Sequence, residues 1–222
     1  MLGTGPVGQT MAAKLAELGH DVTVGTRSVA DAMARSEPDT FGNPPFSEWV
    51  GQHPQVAVAA LADAAAIGEL VVNATNSAGS LEALEAAGEE NLARKVLVDI
   101  ANPLDFSQGM PPSLTVSNTD SLGEQIQRRF PDTRVVKTLN TANAYLMVDP
   151  KQLAGGDHTM FVSGNDPEAK ATVRELLRQF GWSDIIDLGG ISTARGSEMY
   201  LPLWLRIMGS IENPMFNIKV VR

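Results

Sequence analysis

The stretch GTGPVG occupies residues 3–8 of a 222-residue chain and follows the pattern G-x-G-x-x-G without a departure. In this pattern the first glycine permits a tight turn, the second lets a pyrophosphate approach the backbone, and the third lets a helix pack closely on a sheet. Apolar residues recur at helical spacing from Val7 to Leu18, and Gly19 then stands where a helix usually ends. Since the N-terminus of such a helix attracts phosphate groups, the stretch predicts a dinucleotide-binding turn.

Outward from this loop, apolar runs alternate with helical patterns. The predicted strands are rich in Val, Ile and Leu and lie at residues 21–25, 56–60, 70–74, 96–100, 134–139, 160–163 and 185–188. The predicted helices lie at residues 7–18, 63–67, 80–92, 121–130, 167–180 and 192–211, and another begins at the capping box 28–31. We therefore predict the α/β class: a Rossmann-type doubly wound, mostly parallel sheet with a small C-terminal α/β extension ending in a long apolar helix.

The two parts of this fold divide the chain at residue 145. Residues 1–145 are the predicted dinucleotide-binding domain, and residues 146–222 are an extension packed on it as one compact unit. The helix at 192–211 is apolar nearly all round, which is typical of a buried helix. The chain alone is short of partners for that surface, so we expect a homodimer, with burial against the chain's own sheet as the alternative. Residues 36–47 are rich in Pro, Gly and Asn and predict a loop.

The composition restricts the classes of protein that remain. A formal net charge of −9 disfavours nucleic acid and anionic membranes as partners. The absence of cysteine excludes disulfides and thiolate metal sites, and no histidine–carboxylate pattern suggests another metal. No apolar run approaches the ~20 residues that span a bilayer, and the start lacks the features of a signal peptide. We expect a soluble, cytoplasmic protein without a metal.

The strand before the glycine loop is unusually short. Only Met1 and Leu2 precede Gly3, although this strand normally has several residues and lies at the centre of the sheet. Two explanations are open. Either the start is truncated or wrongly assigned, or Met1 and Leu2 form a stub that the fold tolerates.

The end of the second strand indicates which dinucleotide is preferred. Sites for NAD usually place an acid there, about 20 residues past the loop, to bind the ribose 2′-hydroxyl. This chain instead has Thr26, Arg27 and Ser28, with no carboxylate to repel a 2′-phosphate. Arg27 can pair with that phosphate, and the two hydroxyls can donate hydrogen bonds to it. We therefore predict NADP(H) as the cofactor and residues 1–145 as its domain.

Several segments together resemble the coenzyme F420-dependent NADP oxidoreductases. These are the glycine loop, GTRS at 25–28, DIANP at 99–103, KTLNT at 137–141, and RGSE at 195–198 before the apolar helix. The resemblance covers nearly the whole chain. It implies hydride transfer between NADPH and a planar redox acceptor in the extension, with coenzyme F420 as the best candidate and flavin next. Reduction of a small carbonyl or imine, with Tyr145 or Lys137 as proton donor, and a non-catalytic NADP(H) sensor remain alternatives.

The resemblance also implies a set of cofactor-binding residues. They are Gly3, Thr4, Gly5, Pro6, Val7 and Gly8 at the pyrophosphate, Thr26, Arg27 and Ser28 at the 2′-phosphate, Ala74, Thr75 and Asn76 at the ribose, and Ala101, Asn102, Pro103, Asn140, Thr141 and Ala142 at the nicotinamide. No catalytic acid or base is predicted, because hydride transfer between two cofactors depends on positioning.

Three residues are candidates for contact with the acceptor, namely Asn140, Thr141 and Glu198. Arg195 and Glu198 lie three residues apart on a predicted helix and are expected to form an ion pair. Two segments depart from the family pattern. NTAN at 140–143 differs from the His-Thr-Ile-Pro of the best-known members, and residues 41–53 resemble an added loop.

Overall fold

The computed structural model describes residues 1–38 and 42–222. Its strands are β1 Thr23–Thr26, β2 Ala57–Ala60, β3 Leu70–Asn73, β4 Val96–Asp99, β5 Leu104–Asp105, β6 Ser113–Leu114, β7 Arg134–Thr138, β8 Thr159–Gly164 and β9 Asp184–Gly189. Its helices are α1 Pro6–Glu17, α2 Val29–Ala34, α3 Phe46–Gln52, α4 Leu61–Ile67, α5 Ser80–Ala87, α6 Glu89–Leu92, α7 Leu122–Arg129, α8 Ala144–Val148, α9 Pro167–Phe180, α10 Ala194–Met199 and α11 Leu201–Ile211. The predicted alternation of strands and helices is confirmed.

All of these strands except β5 and β6 form one mostly parallel sheet in the order β2-β1-Leu2-β3-β4-β7-β8-β9. Strand β8 pairs antiparallel with β7, and β9 runs parallel to β8. The strands of the C-terminal extension therefore continue the sheet of the first 145 residues. The predicted Rossmann-type, mostly parallel α/β fold is confirmed.

Leu2 fills the central position of this sheet. Its backbone N–H donates to Val72 at 2.8 Å, and its carbonyl accepts from Ala74 at 2.9 Å. On the other side, Gly25 N–H donates to the carbonyl of Met1 at 2.7 Å. The hydrogen-bond ladder is thus continuous at the level of Leu2, and this continuity does not decide between the two explanations of the short strand. The alternative of a truncated start stays a prediction that an intact-mass measurement on native protein would test.

The core lies on both faces of the sheet because successive side chains of a strand point to opposite sides. In β4, Val98 packs in the cluster under α1 and α9, whereas Leu97 packs in the cluster under α5 and α7. Both side chains are fully buried. Burial of each such side chain stabilises the fold by roughly 1.5–3 kcal/mol, so the two clusters hold the strand ends in fixed positions.

Several predicted elements have different bounds in the structure. The helix expected at 80–92 is divided at Gly88, whose φ of 90° is left-handed. Helix α3 begins at Phe46, so the loop expected at 36–47 ends earlier and the stretch 41–53 contains a helix. Residues 39–41 of those stretches lie outside the described residues. The short hairpin of β5 and β6 was not predicted.

The prediction of one continuous helix at 192–211 is wrong. The helix is divided at Tyr200 into α10 and α11, because Pro202 has no N–H to continue the hydrogen-bond ladder. In the single chain Leu201 is buried in α11, whereas Leu203 is 57% and Ile211 51% exposed, so burial in a homodimer stays a prediction. Among the described residues no helix combines the length and apolar character needed to cross a membrane.

Candidate functional site

The glycine loop has the geometry that its sequence predicts. Gly3 has a φ of 116°, and a Cβ there would lie 2.6 Å from the carbonyl oxygen of Ala74. A Cβ on Gly8 would lie 2.3 Å from the carbonyl oxygen of Gly3. Around Gly5, in contrast, no described atom lies within 4 Å of the Cβ position. The first and third glycines therefore allow close packing, and the second leaves space for a ligand against the backbone.

The N-terminus of α1 provides the electrostatic part of this cradle. The N-cap is Gly5, and no side chain of the described residues caps the helix. Pro6 occupies the first turn and holds its φ in the helical range. The free N–H groups and the partial positive charge of the helix end suit a pyrophosphate. The residues of the loop thus fit the phosphates of a dinucleotide.

The end of β1 carries an exposed arginine next to a capping serine. Arg27 is exposed, and its guanidinium makes no hydrogen bond or ion pair within the described ranges. The hydroxyl of Ser28 accepts from Asp31 N–H at 3.1 Å, so it caps α2 and keeps its own proton free to donate. β1 ends at Thr26 without a carboxylate. This arrangement fits a 2′-phosphate.

A buried hydrogen-bond network joins the ends of β3 and β4. Asn73 Nδ2 donates to Asp99 Oδ1 at 2.9 Å and to Ser80 Oγ at 2.7 Å. Thr75 Oγ1 donates to Asn73 Oδ1 at 2.6 Å. These bonds fix the turn that carries Ala74, Thr75 and Asn76 beside the glycine loop.

Lys137 forms the centre of the adjoining charged network. Its ammonium lies 2.9 Å from Asp99 Oδ2 and 2.8 Å from Glu198 Oε1, and all three side chains are buried. It also donates to the carbonyl of Ala101. Burial by itself would lower the pKa of Lys137, but the charges of Asp99 and Glu198 outweigh it and raise that pKa above its ordinary value. Lys137 therefore has three acceptors, two of which are carboxylates that favour its charged form.

The segments that follow β4 and β7 are bonded to one another. Asn140 Nδ2 donates to Asn102 Oδ1 at 3.0 Å, and Asn102 Nδ2 donates back to the carbonyl of Asn140 at 3.0 Å. Asn140 Nδ2 also donates to the carbonyl of Ser197 at 3.1 Å. The neighbouring Thr141 Oγ1 is buried without a partner in the described parts of the chain. That hydroxyl is the unused hydrogen-bonding group at this strand end.

The prediction of an ion pair between Arg195 and Glu198 is wrong. Arg195 Nε donates to Glu124 Oε2 at 2.8 Å, and its guanidinium lowers the pKa of Glu124. Glu198 turns inward to Lys137 and accepts from the N–H groups of Leu122 and Gly123 at 2.8 and 3.0 Å. Glu198, expected as a contact of the acceptor, is thus 1% exposed and holds the N-terminus of α7.

An open cleft of about 810 Å³ lies beside the glycine loop, between α1, α3 and α8. Of the predicted cofactor residues only Pro6 lines it. Trp49 and His53, stacked at 4.3 Å, line another part, with Tyr145 on the α8 side. The cleft is therefore a neighbour of the predicted dinucleotide site and does not coincide with the strand ends.

The loop on the N-terminus of α1, the cationic end of β1 and the polar strand ends define a Rossmann-type dinucleotide-binding protein. A sequence model of the family described as NADP oxidoreductase, coenzyme F420-dependent, matches residues 1–103. A crystal structure from Arthrobacter sp. FB24, presented as a candidate F420-dependent NADP-reductase, is 62% identical, covers 100% of this chain and 97% of its own, and superposes with a TM-score of 0.96. The chain belongs to the F420-dependent NADP oxidoreductase family, a family of NADP-dependent oxidoreductases.

Two further relatives are more distant. The F420-dependent NADP reductase of Methanocaldococcus jannaschii is 29% identical over 142 residues, which span 64% of this chain and 62% of that protein. A reductive aminase from Aspergillus terreus, solved with NADPH, is 18% identical, covers 94% of this chain and 61% of its own, and has a TM-score of 0.62. This last likeness shows the fold alone. The family agrees with the prediction of NADP(H) as the cofactor.

The sequence interpretation missed the roles of Asn73, Ser80 and Glu198. The hydroxyl of Ser80 accepts from Asn73, and Gly79 is the N-cap of α5. One signal was present in the sequence: a lysine follows Val135 and Val136 within an apolar strand, where a charge needs a buried partner. The identity of that partner depends on which strands are neighbours.

Proposed function

We propose that this protein transfers a hydride between NADPH and coenzyme F420. The observation that carries the proposal is the 62% identical relative, presented as a candidate F420-dependent NADP-reductase, which matches the chain over its whole length. The cationic end of β1 and the open glycine loop support the NADP side. The F420 side is supported by the description of the family.

In this proposal the residues of the site bind and orient the cofactor, and NADPH when bound supplies the hydride. The N–H groups at the N-terminus of α1 hold the pyrophosphate, and the guanidinium of Arg27 holds the 2′-phosphate. Ala101 to Pro103 and Asn140 to Ala142 flank the nicotinamide, with the hydroxyl of Thr141 available as a donor. Rate acceleration then comes from placing the reacting atoms in one geometry.

The alternative of a carbonyl or imine reductase finds less support in the site. Such a reaction needs a proton donor near the nicotinamide. Lys137 is fully buried, and its proton is held by two carboxylates. Tyr145, the other donor considered, is 58% exposed on α8 beside the neighbouring cleft. A planar cofactor that takes up a hydride directly fits these residues better.

Stopped-flow mixing of the protein with NADPH and then with F420, FMN, FAD or a cyclic imine tests the proposal. We expect NADPH oxidation with F420 at a rate well above that with either flavin, and none with the imine. Oxidation with flavin alone would assign a flavin reductase. Tight NADPH binding without oxidation by any acceptor would contradict the proposal and favour a sensor of NADP(H).

Two further properties belong to this proposal. We infer a homodimer, supported by the apolar side chains that α11 leaves exposed in the single chain. We also infer a cytoplasmic location, which the absence of cysteine supports. A small-molecule acceptor is the partner that the acidic surface allows, since a net charge of −9 disfavours nucleic acid.

A further inference from the structure

Three charged side chains are buried together beneath the predicted nicotinamide site. Asp99 and Lys137 have 0% and Glu198 1% of their side chains exposed. They come from β4, β7 and α10, three elements that are far apart in sequence. The raised pKa of Lys137 keeps the central group charged.

This network holds both backbone polar groups of Ala101. Asp99 Oδ1 accepts from Ala101 N–H at 3.2 Å, and Lys137 Nζ donates to the carbonyl of the same residue. The peptide units on either side of Ala101 are therefore fixed in orientation. Asn102 and Pro103 follow directly, so the orientation of Ala101 sets where this segment lies over the strand ends.

The same network fixes α10 to the sheet. Glu198 bonds to Lys137 and to the N–H groups at the start of α7, while the preceding carbonyl of Ser197 accepts from Asn140. The segments after β4 and β7 and the start of the C-terminal helices thus share one rigid frame. In the proposed function, these are the elements between which nicotinamide and acceptor meet.

Stability alone does not account for these charges. Taking three ions out of water carries a large desolvation penalty, and well-packed apolar side chains of similar volume often stabilise a core as well or better. The ions add hydrogen bonds of defined orientation, because each charged group donates or accepts in a restricted geometry.

We propose that Asp99, Lys137 and Glu198 are positioning residues that hold the nicotinamide segment and α10 in register for hydride transfer. The proposal rests on the proposed function. It separates two steps: the phosphate loop and Arg27 provide the binding of NADPH, whereas the buried network provides the geometry of the transfer.

The test compares two variants with a matched control. Glu198→Gln keeps the shape of the side chain, removes the charge that pairs with Lys137, and leaves one acceptor oxygen for the N–H groups at the start of α7. The double variant Asp99→Asn/Lys137→Met removes the Asp99–Lys137 pair and leaves Glu198 as a carboxylate that still accepts from the N–H groups at the start of α7. The control, Lys170→Met/Asp187→Asn, removes another 2.8 Å ion pair, which joins α9 to β9.

For both network variants we expect the dissociation constant of NADPH to change less than about threefold, while single-turnover hydride transfer slows by about 10-fold in Glu198→Gln and about 100-fold in the double variant. The control should change neither quantity. A folded Glu198→Gln variant that transfers hydride at the wild-type rate would overturn the proposal, even if the double variant fails to fold.

A second measurement does not depend on turnover. The fluorescence anisotropy decay of the reduced nicotinamide in bound NADPH should gain a fast component in Glu198→Gln that the wild type and the control lack. Identical decays in all three proteins would overturn the positioning role. If none of the tested acceptors oxidises NADPH bound to the wild type, the proposed function fails. The anisotropy measurement then still decides whether the network positions the nicotinamide ring.

Discussion

At the scale of single residues, the glycine loop shows that three identical residues serve different purposes. Gly3 and Gly8 are required by atoms of the protein, because a Cβ at either position would collide with a backbone carbonyl. Gly5 has a φ of −74°, which any residue adopts, and open space around it. Its lack of a side chain therefore matters to a ligand and not to the fold.

The substitutions Gly5→Ala and Gly8→Ala should separate these two roles. Gly5→Ala should leave the melting temperature within about 2 °C of the wild type but weaken NADPH binding at least about 10-fold, since the methyl group enters the space of the pyrophosphate. Gly8→Ala should lower the melting temperature by several degrees. Calorimetry and NADPH titration measure both effects. Equal loss of stability in the two variants would contradict this division.

We propose that the preference for NADP(H) depends on Arg27. We expect Arg27→Ala to raise the KM for NADPH about 10- to 100-fold and to leave the KM for NADH nearly unchanged, because only NADPH carries the 2′-phosphate. Arg178→Ala, which removes an exposed arginine on α9, serves as the control. Steady-state kinetics with both cofactors provide the measurement, and equal effects on NADPH and NADH would refute the assignment.

At the scale of elements, one acid makes several of the contacts that attach the chain beyond α11 to the sheet. Asp184, at the start of β9, accepts from Thr159 Oγ1 at 2.6 Å and pairs with Arg222 at 2.7 Å and Lys219 at 3.2 Å. The hydroxyl of Thr159 and then the guanidinium of Arg222 lower the pKa of Asp184 from 3.8 to about 2. The segment around Lys219 is thus attached through a charge that acid removes.

The stability of this attachment should depend on pH in a defined direction. Because the folded-state pKa is lower than that of the unfolded chain, Asp184 stabilises the fold above about pH 4, and the contribution disappears as pH falls through about 2. Asp184→Asn should therefore lower the free energy of unfolding by about 1 kcal/mol at pH 7 and much less at pH 2. Urea unfolding at both pH values measures the effect. Asp157→Asn, which removes a more exposed partner of Lys219, is the control. A loss independent of pH would argue against the ionic origin.

At the scale of the whole molecule, α11 leaves an apolar surface uncovered. Leu203 and Ile211 are exposed in the single chain, while Trp204 stacks on Phe216 at 5.1 Å. The sequence predicted burial of this helix, and the isolated chain does not provide it. A second copy of the chain would cover the surface without any change in the sheet.

The substitution Leu203→Glu tests this association. We expect light scattering after size exclusion to give a dimer for the wild type and a monomer for Leu203→Glu, because a charge would have to be buried in the interface. Ile67→Glu, which changes an apolar residue 70% exposed on α4, should remain a dimer. A wild type that is monomeric at micromolar concentration would reject the homodimer.

Much of the fold followed from local patterns in the sequence. The glycine loop, the capping serine at residue 28 and the buried strands at 70–73 and 96–99 were predictable because each depends on neighbouring residues alone. The division of the last helix at Tyr200 was missed, although Pro202 gave a local signal for it. The hairpin of β5 and β6 was missed because its two-residue strands are too short to show a period.

By itself, the sequence determined the sheet class, the glycine loop and the cationic end of β1, since these depend on spacing and residue type along one segment. Only the tertiary structure decided that Glu198 pairs with Lys137 and not with Arg195, that Asn140 bonds to Asn102, and that Leu2 completes the sheet. Those contacts join segments separated by about 20 to 70 residues, and their partners are selected by the order of strands in the sheet. The physical reason is that a buried charge or backbone group must find a partner in space, and sequence position does not identify that partner.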